Sequence, residues 1–152
     1  NFEGFKFSIP DNLVYEKENG VLLIGNEEGT WLTQLEIGQG SYESLKSNKN
    51  QLQSSMQQNG YNCTAVIEKT FGGVNFLSME ASFSGQNMII ALAKANSMYF
   101  MGITAINQSN EIDYNLLETI APIISSAEFT SSSNNLSSDV KLDMSAISGL
   151  AK

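Results

Sequence analysis

Apolar and polar residues alternate through most of the chain, and the period switches to a helical one in only a few stretches. Phe5, Phe7 and Ile9 alternate with Lys6 and Ser8, the period of a half-buried strand, and Pro10-Asp11-Asn12 closes it with turn chemistry. Leu13 to Glu18 and Val21 to Gly25 flank Asn19-Gly20, a pair that tolerates the positive φ a two-residue hairpin turn demands. Asn26-Glu27-Glu28-Gly29 supplies the next turn, and Trp31, Thr33, Leu35 and Ile37 share one face of a fourth strand. The first third reads as a β-meander.

Between Ser41 and Asn59 the period changes. Tyr42, Leu45, Leu52 and Met56 recur at helical spacing, Ser41 can cap the start and Gly60 stands at the C-cap position. The apolar stripe is narrow, so this helix is expected to lie on the sheet with most of its circumference in water. Four strand-like runs follow: Tyr61 to Thr70, Val74 to Phe83, Asn87 to Ala95 and Met98 to Ile106. Their connections are too short for anything but antiparallel neighbours. In the third and fourth runs both alternating faces are apolar, which requires cover on both sides of the sheet centre. A second helical stripe, Ile112, Leu116, Leu117, Ile120, Ile123 and Ile124, provides it, with Asn110 as cap, Asp113 at the positive end of the dipole and Pro122 expected to kink or restart the helix. The expected fold class is α+β, a central antiparallel sheet of about six to eight strands with a helix on each face.

At 152 residues the chain fits one domain. Thr130 to Asn135 has a linker's composition, so the domain is expected to span 1–129. Residues 130–152 then form a Ser/Asn-rich linker and a short amphipathic helix, because Val140, Met144, Ile147 and Ala151 recur at helical spacing. No apolar run approaches the length of a membrane span.

The net charge of -8 changes the functional picture more than the length does. A negative field repels phosphate backbones, so nucleic acid is not an expected partner. All 8 cationic side chains are lysines and there is no histidine, which removes both the planar fork that grips phosphate and the side chain that titrates near neutrality. The single cysteine, Cys63, excludes an internal disulfide and has only Asn62 and Thr64 beside it, so a core thiol is expected rather than a nucleophile. Gly38-Gln39-Gly40 lies where a dinucleotide fingerprint would sit, but Glu43 replaces its third glycine and opposes a pyrophosphate; no cofactor is expected. Glu27 and Glu28, with Asp11 at the same end of the meander, offer oxygen ligands without any EF-hand spacing. They are expected to bind no metal and, if anything, to receive a basic partner beside Trp31. Triplets such as Asn107-Gln108-Ser109 arise by chance in a chain so rich in Asn and Ser.

The opening Phe5-Lys6-Phe7-Ser8-Ile9-Pro10-Asp11 resembles the start of the PsbP-like and Mog-like (DcrB-like) domains. So does the second half, where Gly72-Gly73 leads into Asn75-Phe76-Leu77-Ser78-Met79-Glu80, then Gly85 with its paired apolar strands, then a closing helix around Ile120 to Ala127. The resemblance covers roughly residues 2 to 129 and is one of pattern, with no catalytic motif. It implies a central antiparallel sheet between helices and a non-enzymatic accessory role: family members include photosystem assembly proteins, a Ran-binding factor and bacterial DcrB-like lipoproteins. No residue role carries over from them.

Together these features predict a non-catalytic protein-binding or assembly module, with Glu27, Glu28, Trp31, Val140, Met144 and Ile147 as candidate contact residues. The alternative is a small-molecule- or metal-binding protein or a carboxylate-dependent hydrolase. The expected partner is another protein, or a second copy of the chain joined through the 130–152 tail. The compartment is expected to be either the cytoplasm or the outside of a membrane, through a lipid attached upstream of Asn1.

Overall fold

In the computed structural model, which describes residues 4–129, the chain opens with β1 (Phe5–Lys6), β2 (Leu13–Glu18), β3 (Val21–Asn26) and β4 (Trp31–Gln39). Two short helices follow, α1 (Tyr42–Ser47) and α2 (Lys49–Gln58). Then come β5 (Asn62–Cys63), β6 (Ile67–Phe71), β7 (Val74–Phe83), β8 (Gln86–Lys94), β9 (Tyr99–Asn107), α3 (Asn115–Ser125) and β10 (Glu128–Phe129). Asn19 and Gly20 hold φ of 50° and 80°, so the β2–β3 hairpin has the turn its sequence demands.

The main sheet has the order β2-β3-β4-β9-β8-β7, with the outer edge of β7 shared by β5 and β6. Every pairing is antiparallel. β1 and β10 form a separate two-stranded ribbon, Phe5 opposite Phe129. The fold is α+β with a large antiparallel sheet, and helices lie on both faces. Leu116, Leu117, Ile120, Ile123 and Ile124 of α3 bury against Leu22, Ile24, Leu35, Ile37, Ile89 and Ile103 on one face. Tyr42, Leu52 and Met56 bury against Leu77, Met79, Ile90, Leu92 and Phe100 on the other. Residues Val140, Met144 and Ile147, and the linker and helix expected over 130–152, lie outside the described residues.

Local details depart from the sequence reading for identifiable reasons. The first strand stops at Lys6 because its partner, β10, is only two residues long. The expected single helix over 41–59 breaks at Asn48, whose φ of -124° and ψ of 37° leave the helical region. There the Asn48 side chain donates to the Ser44 carbonyl (2.7 Å) and its N–H to that of Leu45 (3.0 Å), local bonds that compete with continued helix. The run Tyr61 to Thr70 splits into β5 and β6, since Val66 turns inward to the α1–α2 core. Thr64 is held to β7 by its own N–H on the Glu80 carbonyl (2.9 Å) and by its hydroxyl accepting the Glu80 N–H (2.9 Å).

α3 starts at Asn115, later than its apolar stripe suggests, because Asn110 serves another purpose than capping. At φ 61° its side chain accepts from the Asn87 N–H (2.8 Å) and donates to the Gly85 carbonyl (2.9 Å), tying down the β7–β8 turn. Pro122 does not restart α3, which runs unbroken through it to Ser125. Its side chain faces solvent, and the helix ends within a turn of it, so only one backbone bond is lost.

Candidate functional site

Gly38 explains why one half of the α1–α2 face differs from the other. A Cβ there would lie 2.2 Å from the Phe100 ring, so the glycine exists to seat that ring. The Gly38-Gln39-Gly40 segment therefore serves packing, and Ser41 caps α1 by accepting the Ser44 N–H (3.1 Å). Tyr42 then donates to Glu68 (2.8 Å), whose other oxygen takes Lys46 at 3.0 Å. The Lys46 and Tyr42 bonds hold the Glu68 carboxyl below its usual range, while burial beside that carboxylate pushes the Tyr42 phenol up. These bonds pin α1 over the β6–β8 side of the sheet and away from β3 and β4.

No residue of β3 or β4 belongs to the buried cluster under α1 and α2. Instead, β4 and β9 place polar groups on that face. Gln34 stands opposite Thr104, and Glu36 opposite Gly102, so Gln34, Glu36 and Thr104 project from adjacent positions of one surface. Glu36 is 7% exposed and Thr104 4%. Among the described residues Gln34 Oε1, Glu36 Oε2 and Thr104 Oγ1 have no hydrogen-bond partner, an arrangement that costs about 1–3 kcal/mol for each such group. Burial raises the Glu36 carboxyl to about 7. Leu23 and Leu32, half-buried on the same face, join neither apolar cluster.

A second locus is a shallow cleft of about 320 Å³ at the β5–β7 edge, lined in part by Cys63, Thr64, Glu80 and Asn87. Its reactive groups are engaged: Tyr114 donates to Glu80 at 2.6 Å, and the Cys63 thiol faces the Gln53 carbonyl at 3.7 Å. Burial pushes that thiol up, away from the thiolate form a nucleophile needs.

Glu27 and Glu28 occupy the exposed β3–β4 turn, where Gly29 N–H bonds the Asn26 carbonyl (3.1 Å) and the Asn26 side chain accepts from Thr30 (2.9 Å). The pairing of Leu13 with Asn26 puts Asp11 at that same end. Among the described residues no three of His, Cys, Asp and Glu gather as metal ligands. Trp31 starts β4, half-buried against the α3-side core, so it stands beside the acidic turn but leans on the opposite face from Glu36. Gln34, Glu36 and Thr104 were invisible in sequence: in an alternating strand, Gln34 and Glu36 read as ordinary solvent-facing positions. Only the order that places β4 beside β9 in mid-sheet reveals them.

No family model matches the chain, and no curated protein does. Among solved structures, one from Bacteroides thetaiotaomicron VPI-5482 is similar at 11% identity and TM-score 0.53, covering 85% of this chain and 46% of that one. The chain thus spans less than half the length of that relative, and the likeness shows a shared fold. The solution structure of cyanobacterial PsbP (CyanoP) from Synechocystis sp. PCC 6803 is similar at 7% identity and TM-score 0.46, covering 84% of this chain and 87% of that one. Among the described residues no helix is long and apolar enough to cross a membrane.

Proposed function

We propose that the chain is a non-catalytic protein-binding or assembly module that docks a partner along the β2 edge of its sheet. The observation that carries this reading is the exposure of β2. Val14 is 46% and Tyr15 59% exposed, and among the described residues no strand lies on the outer side of β2. Edge strands invite pairing with another chain and are commonly blunted by charge. Here Glu16, Lys17 and Glu18 supply charge at one end only.

Glu18 and Val21 flank the two-residue turn, so they form a hydrogen-bonded pair, and the alternation from there turns the Tyr15 N–H and C=O away from β3. An extended partner segment can add to that edge through main-chain bonds. The acidic turn at Glu27 and Glu28, beside the same edge, favours a basic partner. An accessory role of this kind accords with what the PsbP-like and Mog-like resemblance implies.

Tyr15→Pro tests the reading, because proline on an edge strand removes an outward donor and no ladder bond. Wild-type protein is expected to recover a partner from an extract of its source organism that the folded Tyr15→Pro variant does not recover; equal recovery by both overturns the edge reading. A second reading, a small-molecule-binding protein, is favoured by the orphaned oxygens of Gln34, Glu36 and Thr104. A thermal-shift screen with metals and metabolites separates the two, since a ligand that binds only the folded form raises the melting temperature.

A further inference from the structure

We infer that Gln34, Glu36 and Thr104 form a binding site for a primary ammonium carried on an alkyl stem. The inference rests on the reading of the chain as a binding module but concerns a different surface, two strands in from the β2 edge.

The chemistry follows from what is left unpaired. Among the described residues Gln34 Oε1, Glu36 Oε2 and Thr104 Oγ1 are oxygens without partners, and two of their side chains are more than nine-tenths buried. Gln34 and Thr104 are cross-strand neighbours, about 5 Å apart at Cβ, and Glu36 lies about 7 Å along β4 from Gln34. All three oxygens belong to side chains on one surface of β4 and β9, and an ammonium carries three diverging donors and no acceptor.

Other ligand classes fit less well. A guanidinium is a planar fork suited to the paired oxygens of one carboxylate, whereas the orphaned oxygens here come from three separate side chains. A divalent cation wants six or more oxygens at short range. An anion meets Glu36 and, on β2 of the same face, Glu16 opposite Leu23. The neighbouring cation, Lys94, is turned to Glu43 at 4.0 Å and does not neutralise the site. Leu23, Leu32 and Ile106, half-buried around the cluster, offer the apolar rim an alkyl stem requires. An ammonium facing Glu36 would also favour the ionised carboxylate that burial alone disfavours.

Two sources carry this chemistry, a free alkylamine and a lysine of a protein, and the experiment separates them. Amide spectra of the full chain are recorded against cadaverine, against the capped tripeptide Ac-Ala-Lys-Ala-NH2, and against 1-pentanol as the stem without its charge. Either amine is expected to shift the resonances of Gln34, Glu36, Gly102 and Thr104, while pentanol leaves them in place. Glu36→Gln and, independently, Thr104→Val are each expected to weaken binding by about tenfold or more, as loss of a charge-assisted bond does. Tighter binding of the tripeptide identifies a protein lysine as the occupant; tighter binding of cadaverine identifies a free amine. Equal shifts with pentanol, full affinity in Glu36→Gln, or shifts confined to the exposed Glu27–Glu28 turn would each overturn the inference. Any of those results leaves the β2-edge reading standing, since Tyr15→Pro does not touch this cluster.

Discussion

The α3 face and the α1–α2 face of the sheet are built from the same strands yet differ in how they are finished. Under α3, β3, β4, β8 and β9 all contribute buried apolar side chains to one cluster, and the polar Thr33 among them donates to the Ile24 carbonyl at 3.1 Å. Under α1 and α2 the buried apolar cluster takes Phe100 from β9 and nothing from β4, which among the described residues presents Gln34 Oε1 and Glu36 Oε2 with no partner. The first face is organised for stability. The second gives up stability in one place, and buried polar groups left unsatisfied are where a stabilised fold departs from its own rules for a purpose.

The sharpest way to break this comparison is in the α3 face. Leu117 is fully buried there, and Leu117→Ala should cost about 4 kcal/mol in chemical denaturation through lost burial and a residual cavity. A loss below about 1 kcal/mol would mean that α3 is not the main structural cover.

Glu36→Gln should move the other way. The folded-state value near 7 lies above the ordinary 4.5, so the folded form keeps its proton longer than the unfolded chain. Stability therefore falls as pH rises from about 4.5 through 7, by up to about 3 kcal/mol once Glu36 is ionised. The variant should exceed wild type by about that amount at pH 8 and by almost nothing at pH 4.5, read from denaturation midpoints at the two pH values.

Gly38→Ala probes the boundary between the two halves of the α1–α2 face. Its methyl would collide with the buried Phe100 ring, and overpacking of this kind costs about 2 kcal/mol, measurable as a lowered midpoint. Smallest of all, Glu27→Gln with Glu28→Gln in the exposed turn should change stability by less than about 0.5 kcal/mol. A larger change would show that the acidic turn takes part in the fold.

How far the sequence carries this architecture depends on the range of the interaction involved. The Asn19-Gly20 hairpin, the acidic turn and the extent of β7 are local matters, set by turn chemistry and alternation within a few residues. The two helical stripes were legible for the same reason. The break at Asn48 and the late start of α3 were not, because both turn on which backbone group an asparagine side chain reaches, Ser44 in one case and Gly85 in the other. The candidate site was least legible. Gln34 and Glu36 alternate with Thr33, Leu35 and Ile37 just as exposed polar residues would, and their burial arises from β9 pairing alongside β4 across more than sixty residues of chain. Glu27, Glu28 and Trp31, which the sequence did bring forward, sit at one end of β3 and β4 and away from that cluster.

Carbon-detected NMR of the Glu36 carboxyl across a pH titration tests the central claim most directly. A carboxyl buried as Glu36 is should titrate with its midpoint near 7. A midpoint close to 4.5, the value of a carboxyl in water or one already paired, would contradict it.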